Sequence, residues 1–136
     1  MKKGKKVKPP TPAEYRLLIT PKMKEREKRA VTLIALRTLK EFRSFRYEII
    51  VEDLIEGSTI YLKIHGLKAP QVGLPSMGPA VYRAEYPRLR GEYSLVVTKL
   101  NREENKFTVS FTDTSVTVKE GPEKKFVEIV TSEREW

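Results

Sequence analysis

Residues 20–45 read TPKMKEREKRAVTLIALRTLKEFRSF. After Pro21 neither Gly nor Pro interrupts this stretch, and Thr20 followed by Pro21 is a cap-and-proline opening of the kind that starts helices. On a wheel of about 100° per residue, Val31, Ile34, Ala35, Leu39, Phe42 and Phe45 share one broad face. Lys22, Arg26, Arg29, Arg37, Lys40 and Arg43 cluster opposite. The spacing predicts a long helix over Pro21–Phe45 whose apolar side meets a core and whose basic side meets solvent. Leu33 and Leu36 fall on the basic side, so they need cover from a neighbouring element or from a partner molecule.

Upstream, Thr11, Pro12 and Glu14 form a capping-box signature, which predicts a short helix ending before Pro21 and carrying Tyr15, Leu17, Leu18 and Ile19. Downstream the apolar period switches to two near Tyr47. Tyr47, Ile49 and Val51 alternate with Glu48, Ile50 and Glu52. Across a turn at Glu56 and Gly57, Ile60, Leu62 and Ile64 alternate with Tyr61, Lys63 and His65, which predicts a hairpin. Gly66–Pro79 holds three Gly and three Pro and predicts a long loop. Strands are expected over Val81–Tyr86, Glu92–Leu100, Lys106–Thr112, Ser115–Lys119 and Lys125–Thr131. The resulting expectation is a single α+β domain over 11–136: a short and a long N-terminal helix packed on an antiparallel sheet of six or seven strands, curled or split into a sandwich.

Charge divides the chain unevenly. Residues 1–46 hold 15 Lys and Arg against 4 Glu, a balance of +11, whereas residues 47–136 hold 12 against 14 acids, a balance of −2. Met1–Pro10 carries Lys2, Lys3, Lys5, Lys6 and Lys8 without an aromatic residue, and such a segment buries too little to offset its ordering entropy. It is expected to be a disordered basic tail. Gln71 is the sole glutamine and Asn101 and Asn105 the sole asparagines, a scarcity of thermolabile amides that resembles thermophile usage.

Several chemistries lack their residues. Without cysteine there is no disulfide, thiolate metal site or cysteine nucleophile. With His65 as the sole histidine no two-histidine metal site exists, and His65 is expected to be a dispensable polar residue at a strand end. Gly73 and Gly78 lack the Gly-Lys-Ser/Thr sequel of a phosphate-cradling loop. No catalytic residue, cofactor or metal is therefore assigned. No apolar stretch is long enough to span a bilayer, and the cytoplasm is the expected compartment.

Three functions are compatible with this reading. The leading one is a non-enzymatic module that contacts RNA, DNA or a ribonucleoprotein through Lys2, Lys3, Lys5, Lys6, Lys8, Arg26, Arg29, Arg37, Lys40 and Arg43. The second is an assembly domain that forms a homo-oligomer through Leu33 and Leu36. The third is a small enzyme or ligand carrier with a pocket lined by Phe42, Phe45, Tyr61, Tyr82 and Tyr86.

Overall fold

A computed structural model describes residues 13–43, 46–69 and 77–136. Over these residues the chain is almost entirely β: β1 (Tyr15–Lys24), β2 (Arg29–Phe42), β3 (Glu48–Glu56), β4 (Thr59–Lys68), β5 (Gly78–Pro87), β6 (Gly91–Thr98), β7 (Glu104–Phe111), β8 (Val116–Glu120) and β9 (Val127–Val130). A single 3₁₀ turn at Glu133–Glu135 is the one helical element among the described residues. The expected α+β architecture is therefore corrected. Both N-terminal helices are strands, and they form the hairpin β1–β2.

The correction has a physical cause in the run Val31-Thr32-Leu33-Ile34-Ala35-Leu36, every member of which is buried. A short run that is apolar on all sides fits a strand covered on both faces as well as it fits a helix, and its β-branched Val31, Thr32 and Ile34 favour the strand. Register settles the faces. Leu36 lies opposite Leu17 and Ile34 opposite Ile19, all four inside the main core. Leu33 and Ala35 point the other way, into a second cluster with Leu18 and Val130 that Trp136 covers. The turn between the strands contains no Gly or Pro: Lys28 adopts the left-handed region at φ 52°, and Glu27 N–H donates to Lys24 C=O. Lys24 Nζ lies 3.0 Å from Glu27 and 2.9 Å from Glu85, and Arg29 Nε lies 2.8 Å from Glu27. Hydrogen bonds to Glu85 and Glu27 raise the Lys24 pKa, and the bond from Lys24 lowers those of both carboxyls. A charge pattern that reads as a helix face thus works as a turn clamp.

The nine strands form one sheet in the order β9-β1-β2-β5-β3-β4-β6-β7-β8, curled into a nearly closed barrel. It is mixed rather than antiparallel, because β9 pairs with β1, β4 with β6, and β3 with β5 in parallel. The β3–β5 ladder holds a single residue pair, Glu48 and Val81, after which the two strands separate. Inside, Leu17, Ile34, Ile60, Leu62, Leu95 and Val109 build the main core from both halves of the sheet.

Two irregularities shape the end of the barrel. Between Arg37 and Glu41 the β2–β5 register shifts. Thr38 fills the break, its hydroxyl accepting from Ala80 N–H at 2.9 Å and donating to Lys40 C=O at 2.8 Å. Thr38 is 8% exposed. Thr38→Val, with the same shape and no hydroxyl, is expected to cost about 1–3 kcal/mol through the buried amide it strands. Thermal melts of the variant check this, and a neutral result would mean that the bulge re-forms its bonds elsewhere. The second irregularity, between Ile50 and Val51, bulges His65 out of β4.

No helix among the described residues is long and apolar enough to cross a membrane.

Candidate nucleic-acid interface

The end of β2 and the starts of β3 and β5 meet at one end of the barrel. Glu41 lies opposite Pro79 and Phe42 opposite Gly78, while Val81 N–H donates to Tyr47 C=O. Arg46 lies across this junction. Its Nε donates to Met77 C=O at 3.1 Å, and the side chain packs so closely on Gly78, at φ 153°, that a Cβ there would come within 3.0 Å of Arg46 Nε. Glycine suits this contact through its backbone angle, and any side chain there would also push the Arg46 side chain aside.

Aromatic rings and cations alternate around the junction. Phe42 and Tyr47 make an edge-to-face pair with centroids 5.0 Å apart, and Lys40 Nζ stands 5.1 Å above the Phe42 ring. A cavity of about 570 Å³ opens between Arg46, Tyr47, Glu48, Pro79, Tyr82 and Arg83. A second cleft of about 320 Å³ lies between Tyr15, Thr38, Lys40, Phe42 and Leu67. Ala13 also lines that second cleft, so the described chain enters the barrel at this end.

Five cations lie at or beside this end of the barrel. Elsewhere some cations are answered, as Arg16 by Glu128, Lys22 by Glu133, Arg88 and Arg90 by Asp113, and Lys99 by Glu14, while others, such as Arg26, Lys63, Lys106 and Lys124, take part in no ion pair among the described residues. Among the described residues Arg37, Lys40, Arg43, Arg46 and Arg83 take part in no ion pair, although Glu41 and Glu48 lie in the same segment and Glu48 is within 3.7 Å of Lys68. Arg37 and Arg83 are near neighbours on the outer face, since Arg37 is opposite Val81 and Arg83 two residues further along β5. Arg37 also lies over the Trp136 ring at 5.7 Å.

The residues expected to share one helical stripe are thereby divided. Lys40 and Arg43 belong to this end and Arg37 to its flank. Arg26 and Arg29 sit at the β1–β2 turn, roughly 35 Å away along an extended strand, with Arg29 held by Glu27. Lys2, Lys3, Lys5, Lys6 and Lys8 lie outside the described residues. Sequence periodicity misses Arg46 and Arg83. Arg46 follows Arg43 at a three-residue step but falls just past the expected helix, and nothing around Arg83 marks it. Leu33 and Leu36 are each 0% exposed, on opposite faces of β2, so neither is on the surface in this fold.

Of the residues expected to line a pocket, Phe42, Tyr82 and Tyr86 do pack against the main core. Tyr61 is exposed on the outer face of β4 and Phe45 lies outside the described residues. Tyr86 donates from its hydroxyl to Asp53 Oδ2 at 2.5 Å. Burial first, then the bonds to Asp53 and Tyr82, raise the Tyr86 pKa strongly, so the phenol stays protonated and acts as a donor. This contact spans the gap where β3 and β5 separate. His65 bonds to Glu52 at 2.8 Å on the exposed surface. Among the described residues no group of three or more His, Asp or Glu side chains could hold a metal ion. No family model matches the chain, and neither a curated protein nor a solved structure matches it.

Proposed function

We propose that the protein is a nucleic-acid-binding module that grips the phosphate backbone with the end of the barrel carrying Lys40, Arg43 and Arg46, flanked by Arg37 and Arg83. One observation carries this reading: five cations without carboxylate partners gather there beside half-buried Phe42 and Tyr47. Unanswered cations attract phosphates through counterion release, and neighbouring rings offer faces on which unpaired bases stack. The five lysines of residues 1–10 precede Ala13, which lines the second cleft at this end. The arrangement supplies affinity for charge and shape and little discrimination among sequences.

Titration of a fluorescent single-stranded RNA against the full chain at several salt concentrations tests the proposal. Affinity is expected to fall along a log–log line, and the triple variant Lys40→Glu, Arg43→Glu, Arg46→Glu to flatten its slope by about 2. Arg26→Glu with Arg29→Glu, at the far turn, should change the slope much less. Absence of salt-dependent binding, or equal effects of the two sets, would overturn the assignment.

A further inference from the structure

The separation of β3 from β5 leaves backbone without a ladder. Glu56 and Thr59 close the β3–β4 hairpin around Gly57 and Ser58. In a two-residue hairpin the closing pair is hydrogen-bonded and bonding alternates from there. Glu52, Leu54 and Glu56 therefore bond to β4, and the amides and carbonyls of Val51, Asp53 and Ile55 face the gap. No residue of β5 pairs with them. Tyr86 reaches Asp53 from within the barrel, but the outer side of the edge is open: Ile50 is 42% and Leu54 53% exposed, next to Tyr61 at 39%, which lies opposite Leu54.

An open edge flanked by exposed apolar side chains is a template for another strand. Charge selects the occupant. β3 contains Glu48, Glu52, Asp53 and Glu56 and no Lys or Arg. Of these Glu48 lies near Lys68, Glu52 bonds to His65 and Asp53 accepts from Tyr86, while Glu56 takes part in no ion pair among the described residues. A second β3 laid against the first would set acid against acid. A basic strand would meet complementary charge. We infer that the free edge of β3, Val51–Ile55, docks an extended basic segment of a partner protein, which adds to the sheet beside β3 and lays apolar side chains against Ile50 and Leu54. Main-chain bonds to Val51, Asp53 and Ile55 supply affinity, and Glu52 and Glu56 choose lysine or arginine over acids.

The probe is a fluorescein-labelled peptide of alternating valine and lysine, titrated against the full chain. Saturable binding is expected, weakened roughly tenfold when glutamate replaces lysine in the peptide or when the protein carries Glu52→Lys with Leu54→Lys. Both substitutions are on exposed side chains, and unchanged circular dichroism and melting confirm that the fold survives. Hydrogen exchange adds a readout that simple charge attraction would not move. Amides of Val51, Asp53 and Ile55 should slow about tenfold on peptide addition, while those of Glu52 and Leu54, already bonded to β4, stay unchanged. The inference is overturned by no binding at peptide concentrations on the order of millimolar, by affinity indifferent to the double substitution, or by protection that lacks this alternation. It is equally overturned if the chain alone is a dimer with Val51, Asp53 and Ile55 already protected.

Discussion

Asn105→Leu should lower stability by about 2–5 kcal/mol, because it strands several buried backbone groups worth about 1–3 kcal/mol each. Asn105 stands at the start of β7, opposite Val97, and is only 4% exposed. Its Oδ1 accepts from Phe126 N–H at 2.9 Å and Val127 N–H at 3.3 Å, and its Nδ2 donates to Lys124 C=O at 3.1 Å and Glu104 C=O at 3.2 Å. These bonds fasten the entry of β9, which returns to pair with β1 and lies at the opposite end of the strand order from β8. A side chain thus does between β7 and the last strand what a backbone ladder does elsewhere. Leucine branches where asparagine does but is larger and carries no polar atom, so the loss reports on the missing bonds and on crowding rather than on a cavity. Urea unfolding measures it, and a change below about 1 kcal/mol would mean that water replaces the amide.

Leu33→Ala and Leu36→Ala should each cost about 2–5 kcal/mol, and by similar amounts. On a helix with its apolar face on Val31, Ile34 and Phe42, both leucines would face outward and truncation would be nearly silent. In β2 they lie on opposite faces and each fills a different cluster, Leu36 beside Leu17 and Ile34, Leu33 beside Leu18 and Ala35. Equal and large losses from two residues three apart are a signature of a strand covered on both sides. Phe42→Ala should cost less than a fully buried phenylalanine would, since its ring is half-buried.

The second half of the chain is largely legible as sequence. From Tyr47 onward one face of most strands meets the core and the other meets water, so side chains alternate, and the seven expected strands correspond to β3–β9 within a few residues. The first third is not legible in the same way. β2 has no wet face between Val31 and Leu36, which erases the two-residue period, and its turn uses Lys28 in a left-handed conformation rather than a glycine. The Thr20-Pro21 signal that predicts a helix start lies within β1, where Pro21 takes its place opposite Thr32. Parallel pairings are invisible for another reason: they join segments remote in sequence, and no local pattern records them. Of the candidate interface, Lys40 and Arg43 follow from charge counting, whereas Arg46, Arg83 and Gly78 acquire their relation only through the β3–β5 crossing.

The pairing of β1 with β9 also bears on the order of events at the ribosome. Arg16 and Glu128, which face each other across it, are separated by 112 residues. At ordinary elongation speeds β1 waits on the order of ten seconds for that neighbour. During this interval the hairpin β1–β2 has one border unsatisfied, and Leu18 and Leu33 lack the lid that Trp136 later provides. β3 and β4, by contrast, meet across two residues and mature as soon as they emerge. The N-terminal third therefore relies on Val127–Trp136 for its edge and its lid, and nascent chains that end before Val127 leave both uncovered.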